Sequence, residues 1–144
     1  MPTIDVAAEI EIAAEPTDVA GVMFDPHRDP EWVKAVTAVD VLDPGIKPGA
    51  RVRRSGRVMG QDVSWTTAVL GFQFPHVLEL NVADGPFVGT LRYEIGRSAA
   101  GSVVRIRTTG QPTQLGFVPA AMIEGPMRAA LAEDLARLKA LIER

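Results

Sequence analysis

Two charged residues fall where the surrounding pattern places apolar ones. Arg54 shares the alternating phase of Ala50, Val52, Gly56 and Val58. Glu124 lies on a helical stripe that steps from Ala120 through Glu124 and Met127 to Leu131. An unpaired buried charge is very costly, so each must pair, reach water at a cavity mouth, or meet a polar group of a ligand. Tyr93 and Thr67 share inward phases with apolar neighbours and would add hydroxyls, and Trp65 a flat apolar wall. An Arg54–Glu124 pair, or the Tyr93 phenol, would suffice for proton transfer in a shaped cavity. Arg54 also suits a guanidinium that snorkels to a sheet edge, and Glu124 a helix end redirected outward by Pro126.

Other chemistries lack their residues. The chain has no cysteine, which removes disulfides, thiolate metal sites and a cysteine nucleophile. Its two histidines are too few for a histidine-only metal site. His27 sits between Asp25 and Asp29 and reads as part of a helix cap, while His76 follows Pro75 at a strand start. Neither falls in a Ser-His-Asp or metal spacing, and no Walker A, GxGxxG or HExxH motif is present. No cofactor is expected.

The elements that position these residues follow from periodicity. Ile4, Val6, Ala8, Ile10 and Ile12 alternate with more polar residues, which marks a half-buried strand. Pro16 opens a short helix over about 16–24. Asp29-Pro30-Glu31-Trp32 repeats the signal over about 29–35, with Asp29 as a cap and Trp32 packing the short helices or lining an entrance. Val36–Leu42, Ala50–Val58, Val63–Phe74, Val77–Val82, Phe87–Ile95 and Val103–Thr109 read as strands joined by turns, in the manner of an antiparallel meander. The inward phases include Thr67, Leu91, Tyr93 and Thr108; the opposite phases carry Glu79, Arg92, Glu94, Arg105 and Arg107, a solvated face with cross-strand ion pairs. Arg51, Arg53 and Arg57 likewise point outward. Met127, Leu131, Leu135, Leu138 and Ile142 then mark one long amphipathic helix, which Gly125-Pro126 should kink or break.

This order predicts an α+β fold: a curved antiparallel sheet of about seven strands wrapped around a long C-terminal helix, with two short helices after the first strand. One helix rarely fills such a concavity. Small residues at Gly56, Ala68, Gly89, Gly110, Ala120 and Ala121 would enlarge the space, and an apolar cavity is the default ligand site. Met122 and Met127 would adapt to varied ligands.

Composition agrees with a single domain over 1–144. Apolar residues at 47% and charged residues at 23% place the chain among ordinary globular proteins. A net charge of −3 carries no basic excess for nucleic acid. The two longest uncharged stretches, Val63–Leu78 and Thr108–Ile123, are 16 residues each, short of a membrane span. Met1-Pro2-Thr3-Ile4-Asp5 has no signal-peptide character, so a cytoplasmic location is expected. Oligomeric state is not legible.

The chain resembles the START-like (helix-grip, SRPBCC) superfamily, and within it the bacterial polyketide cyclase/dehydrase and lipid-transport family. The resemblance rests on Ile10-Glu11-Ile12-Ala13-Ala14 before the Pro16 helix, Asp25-Pro26 with Pro30-Glu31-Trp32, and Pro48-Gly49-Ala50-Arg51-Val52. Trp65, Val69 and Pro75 continue it, as does Asp134-Leu135-Ala136-Arg137-Leu138-Lys139. It implies a deep cavity, between sheet and C-terminal helix, for a hydrophobic small molecule such as a lipid, quinone or polyketide. The residues expected to meet that ligand are Trp32, Arg54, Trp65, Thr67, Leu91, Tyr93, Thr108, Met122, Glu124 and Met127. The alternative is a cyclase/dehydratase-type enzyme that uses the polar members of this set. A protein–protein module with an exposed apolar groove is a weaker third reading.

Overall fold

In the computed structural model, which describes residues 3–113 and 119–144, the alternating N-terminal run forms strand β1 (Ile4–Ile12). Helix α1 (Pro16–Met23) follows, then a 3-10 turn (Pro26–Arg28) and the one-turn helix α2 (Asp29–Trp32). The second helix is shorter than the expected 29–35, because Val33 leaves helical geometry and the chain turns into strand β2 (Val36–Val41). Strands β3 (Arg51–Val58), β4 (Gln61–Gln73), β5 (Val77–Val82), β6 (Phe87–Ser98) and β7 (Gly101–Pro112) complete the meander, and helix α3 (Ala120–Glu143) ends the chain. Residues 114–118 lie outside the described residues.

All seven strands form one antiparallel sheet in the order β1-β7-β6-β5-β4-β3-β2. The register sets Val52 beside Thr67, Thr67 beside Val82, and Leu80 beside Leu91, so the inward phases read from the sequence share one face. On the other face, Arg92 meets Glu79 at 2.9 Å and Glu94 at 3.2 Å, and Arg107 meets Asp5 at 2.6 Å. Half-buried and exposed pairs of this kind mark the solvated side and add little stability.

Helix α3 continues through Gly125-Pro126, so the expected break does not occur. Pro126 cannot donate to the Met122 carbonyl, but this turn is exposed and water can satisfy that group. Polar side chains on one flank of α3 cap the free edge of β1. Glu124 accepts from the Asp5 amide at 3.4 Å, Lys139 donates to the Glu11 carbonyl at 2.9 Å, and Glu143 accepts from the Ala13 amide at 2.8 Å. The spacing is self-consistent: Asp5 to Ala13 spans roughly 26 Å of strand, and Glu124 to Glu143 roughly 28 Å of helix. An edge strand left bare would template aggregation, and α3 blocks it. Leu135 and Leu138, both fully buried, turn the apolar stripe of α3 into the core beside Ile12, Val19 and Met23.

Gly56, Gly89 and Gly110 do not enlarge the cavity as expected, because each lies against neighbouring backbone. A methyl at Gly56 would overlap the Ala35 carbonyl, which accepts the Arg57 amide at 3.1 Å beside the irregularity in β2. Gly89 and Gly110 face each other across β6 and β7, where a methyl on either would overlap a backbone carbonyl oxygen. Gly56→Ala should therefore destabilise the fold by about 1–3 kcal/mol, as overpacking does. Urea denaturation reads this directly, and an unshifted midpoint would show that β2 yields freely.

Candidate functional site

A cavity of about 300 Å³ opens on the half of the concave face that α3 leaves uncovered. Its floor is the inward phase of three strands: Ala50, Val52 and Arg54 at β3, Thr67 and Val69 on β4, and Leu78 and Leu80 on β5. The walls come from the C-terminal end of α1, including Ala20, Gly21 and Phe24, and from the turn Asp25-Pro26-His27. Val41, Gly45 and Ile46 close the other side. Depth follows burial: the residues of the floor are mostly buried, whereas Gly21, His27, Gly45 and Phe74 at the mouth are exposed. No residue of α3 lines this cavity, whereas the expected position was between sheet and C-terminal helix.

One polar constellation interrupts the apolar floor. Arg54, only 8% exposed, donates from Nε to Asp29 Oδ2 at 2.6 Å and from Nη1 to Thr67 Oγ1 at 2.6 Å. Asp29 is 3% exposed and belongs to α2, twenty-five positions from its partner. It serves as the counter-ion of Arg54; the local cap is made by Asp25, which accepts the His27 amide at 3.0 Å. Helix α3 holds α2 in place. Arg137 donates to the Trp32 carbonyl at 3.0 Å, and Asp134 accepts the Lys34 amide at 3.2 Å while also contacting Arg137. The order of support is thus α3, α2, Asp29, Arg54, Thr67.

Burial pushes the Asp29 carboxyl above its ordinary value of 3.8; the Arg54 guanidinium opposes the rise and Asp25 adds to it. Between that ordinary value and the raised one, the folded chain binds more protons than the unfolded chain. The stability contributed by Asp29 therefore falls as pH rises through this window. Asp29→Asn lacks this slope. The stability of the wild type relative to Asp29→Asn should be most favourable near the acid end and decline as pH rises, read by denaturation at several pH values. A difference that grows with pH would contradict the burial argument.

The expected ligand residues divide into two groups. Arg54 and Thr67 line the cavity. The other eight do not. Trp65 is half-buried on the inward phase beyond the cavity, beside Gly85. Leu91 and Thr108 sit on the part of the sheet nearer β1. Tyr93 and Trp32 are buried in an aromatic cluster rather than at an entrance. The Tyr93 ring stacks on Phe24 with centroids 6.2 Å apart, and Trp32 tilts against it at 5.9 Å. Burial raises the Tyr93 hydroxyl far above the usual phenol range, with the Asp29 charge reinforcing it, so its proton is held tightly.

Met122 is 68% exposed, Met127 is half-buried, and Glu124 caps β1 instead of facing Arg54. These three follow from the docking of α3 along the β1 edge, which carries its first turns away from the cavity. The residues missed were Asp29, whose local context favoured a cap, the buried wall residue Phe24, the half-buried Ile46 and the exposed Phe74 at the mouth. Phe24 did sit at helical spacing in α1, a signal consistent with an inward side chain.

The family described as "Polyketide cyclase / dehydrase and lipid transport" matches residues 3–143. Among solved structures, a START superfamily protein from Mycobacterium smegmatis aligns with a TM-score of 0.79 at 19% identity, covering 95% of this chain and 98% of that one. TTHA0849 from Thermus thermophilus aligns with a TM-score of 0.76 at 16% identity, covering 98% of this chain and 97% of that one. DynU16, described as a putative protein in the dynemicin biosynthetic locus, aligns at 0.72 and 16%, with 99% of this chain matching 48% of that one. At these identities the likeness is one of fold. No curated protein matches the sequence. Among the described residues, no cluster of metal-ligating side chains occurs, and no helix is long and apolar enough to cross a membrane.

Proposed function

The chain belongs to the polyketide cyclase / dehydrase and lipid transport family, and from that premise we propose that it binds a hydrophobic small molecule in the cavity over β3–β5. The observation that carries this reading is the cavity itself: about 300 Å³, floored by aliphatic side chains, with a single buried guanidinium among them. Natural ligand sites combine apolar walls with a few placed polar groups in this way.

Binding is favoured over cyclase or dehydratase chemistry because the groups expected to move protons are apart. Tyr93 is sealed in the aromatic cluster, and Glu124 stands at the β1 edge. Arg54 and Thr67 are already engaged with each other and with Asp29. Gently purified protein should retain a small apolar ligand in native mass spectrometry, or gain thermal stability from members of a lipid, quinone and polyketide panel. Saturation with such a panel that leaves both the mass and the unfolding temperature unchanged would overturn the reading.

A further inference from the structure

We propose that the ligand is small and uncharged, largely apolar, and carries one hydrogen-bond-accepting oxygen, such as a ring ketone, that seats on Arg54. The inference rests on the binding reading above and adds its size, charge and polar group.

Size follows from volume. At roughly 30 Å³ per water-sized unit, a 300 Å³ cavity encloses on the order of ten non-hydrogen atoms. That is one or two fused rings, well short of a long acyl chain held along its whole length.

Charge follows from what surrounds Arg54. Asp29 already neutralises the guanidinium through the 2.6 Å contact, and the Asp25 carboxylate also lines the cavity. Apart from the His27 imidazole at the mouth, an incoming carboxylate would meet one positive and two negative side chains. It would have to shed its hydration for a site with no net attraction, and such desolvation is costly.

The polar group follows from the hydrogen bonds left over. Nε and Nη1 of Arg54 are taken by Asp29 and Thr67, and Nη2 has no hydrogen-bond partner among the described residues. The guanidinium offers only donors, so its complement is an acceptor oxygen. A neutral carbonyl supplies one without disturbing the Asp29 pair.

Titration calorimetry with four probes tests this: 1-tetralone, its hydrocarbon tetralin, 1-naphthoate and palmitate. The wild type should bind 1-tetralone about tenfold more tightly than tetralin, the worth of one hydrogen bond to a charged donor. It should bind 1-tetralone at least about tenfold more tightly than 1-naphthoate or palmitate. In Asp29→Asn the guanidinium loses its counter-ion, and 1-naphthoate should overtake the ketone. If that variant does not fold, the double variant Asp29→Leu/Arg54→Met replaces it, and its preference for ketone over tetralin should vanish. Equal or tighter binding of 1-naphthoate or palmitate by the wild type would overturn the proposed class while leaving small-molecule binding intact. No binding of any probe, together with a silent lipid, quinone and polyketide panel, would overturn both.

Discussion

Asp29→Ala should lower folding stability by about 3–5 kcal/mol, the usual effect of removing one partner of a buried ion pair. The size comes less from the lost attraction than from what remains. Arg54 would keep its charge under the sheet with Thr67 as its one hydrogen-bond partner, and a buried guanidinium cannot shed its proton. Replacing both partners should behave differently. Asp29→Leu/Arg54→Met removes the charges together and should fall within about 1 kcal/mol of the wild type, or exceed it. A double-mutant cycle by urea denaturation measures the coupling. If the double variant is as unstable as Asp29→Ala, the pair is a structural keystone, and its reservation for a ligand loses support. If it is stable, the pair is dispensable for folding, and a polar point is kept in an apolar floor for some other purpose.

Val69→Trp should abolish ligand binding without unfolding the chain. Val69 lies at the centre of the floor, beside Leu80 on β5, with its amide donating to the Ala50 carbonyl at 3.0 Å. An indole at this position projects into existing space, so the strain of overpacking a solid core is avoided. Each ~100 Å² of ligand surface it excludes removes about 2.5 kcal/mol of apolar burial, close to a hundredfold in affinity. The unfolding temperature should hold or rise while calorimetric binding disappears. Unchanged affinity in a folded variant would place the ligand elsewhere.

How far the sequence reaches depends on whether a feature is local. Alternation along Val77–Val82 and Phe87–Ile95 assigns both faces of the sheet, because side-chain direction in a strand is fixed by parity alone. The outward ladder of Glu79, Arg92 and Glu94 follows from the same rule. Pairing across elements does not follow. Asp29 precedes a proline and a glutamate, a context that local rules read as a cap; only the fold brings it beneath β3. Glu124 shows the converse. Its stripe on α3 is helical, as the spacing indicates, but the docking of α3 depends on the free edge of β1, which no periodicity in α3 encodes. The cavity differs from expectation for that reason: once α3 lies along β1, the uncovered half of the concave face is β3–β5.

Methyl NMR during titration with 1-tetralone tests the central claim most directly. Shifts concentrated at Val52, Val69, Leu78 and Leu80, with Leu135 and Leu138 of α3 unmoved, are the predicted result. A saturable titration that moves the α3 methyls and leaves those four strand residues unchanged would contradict it.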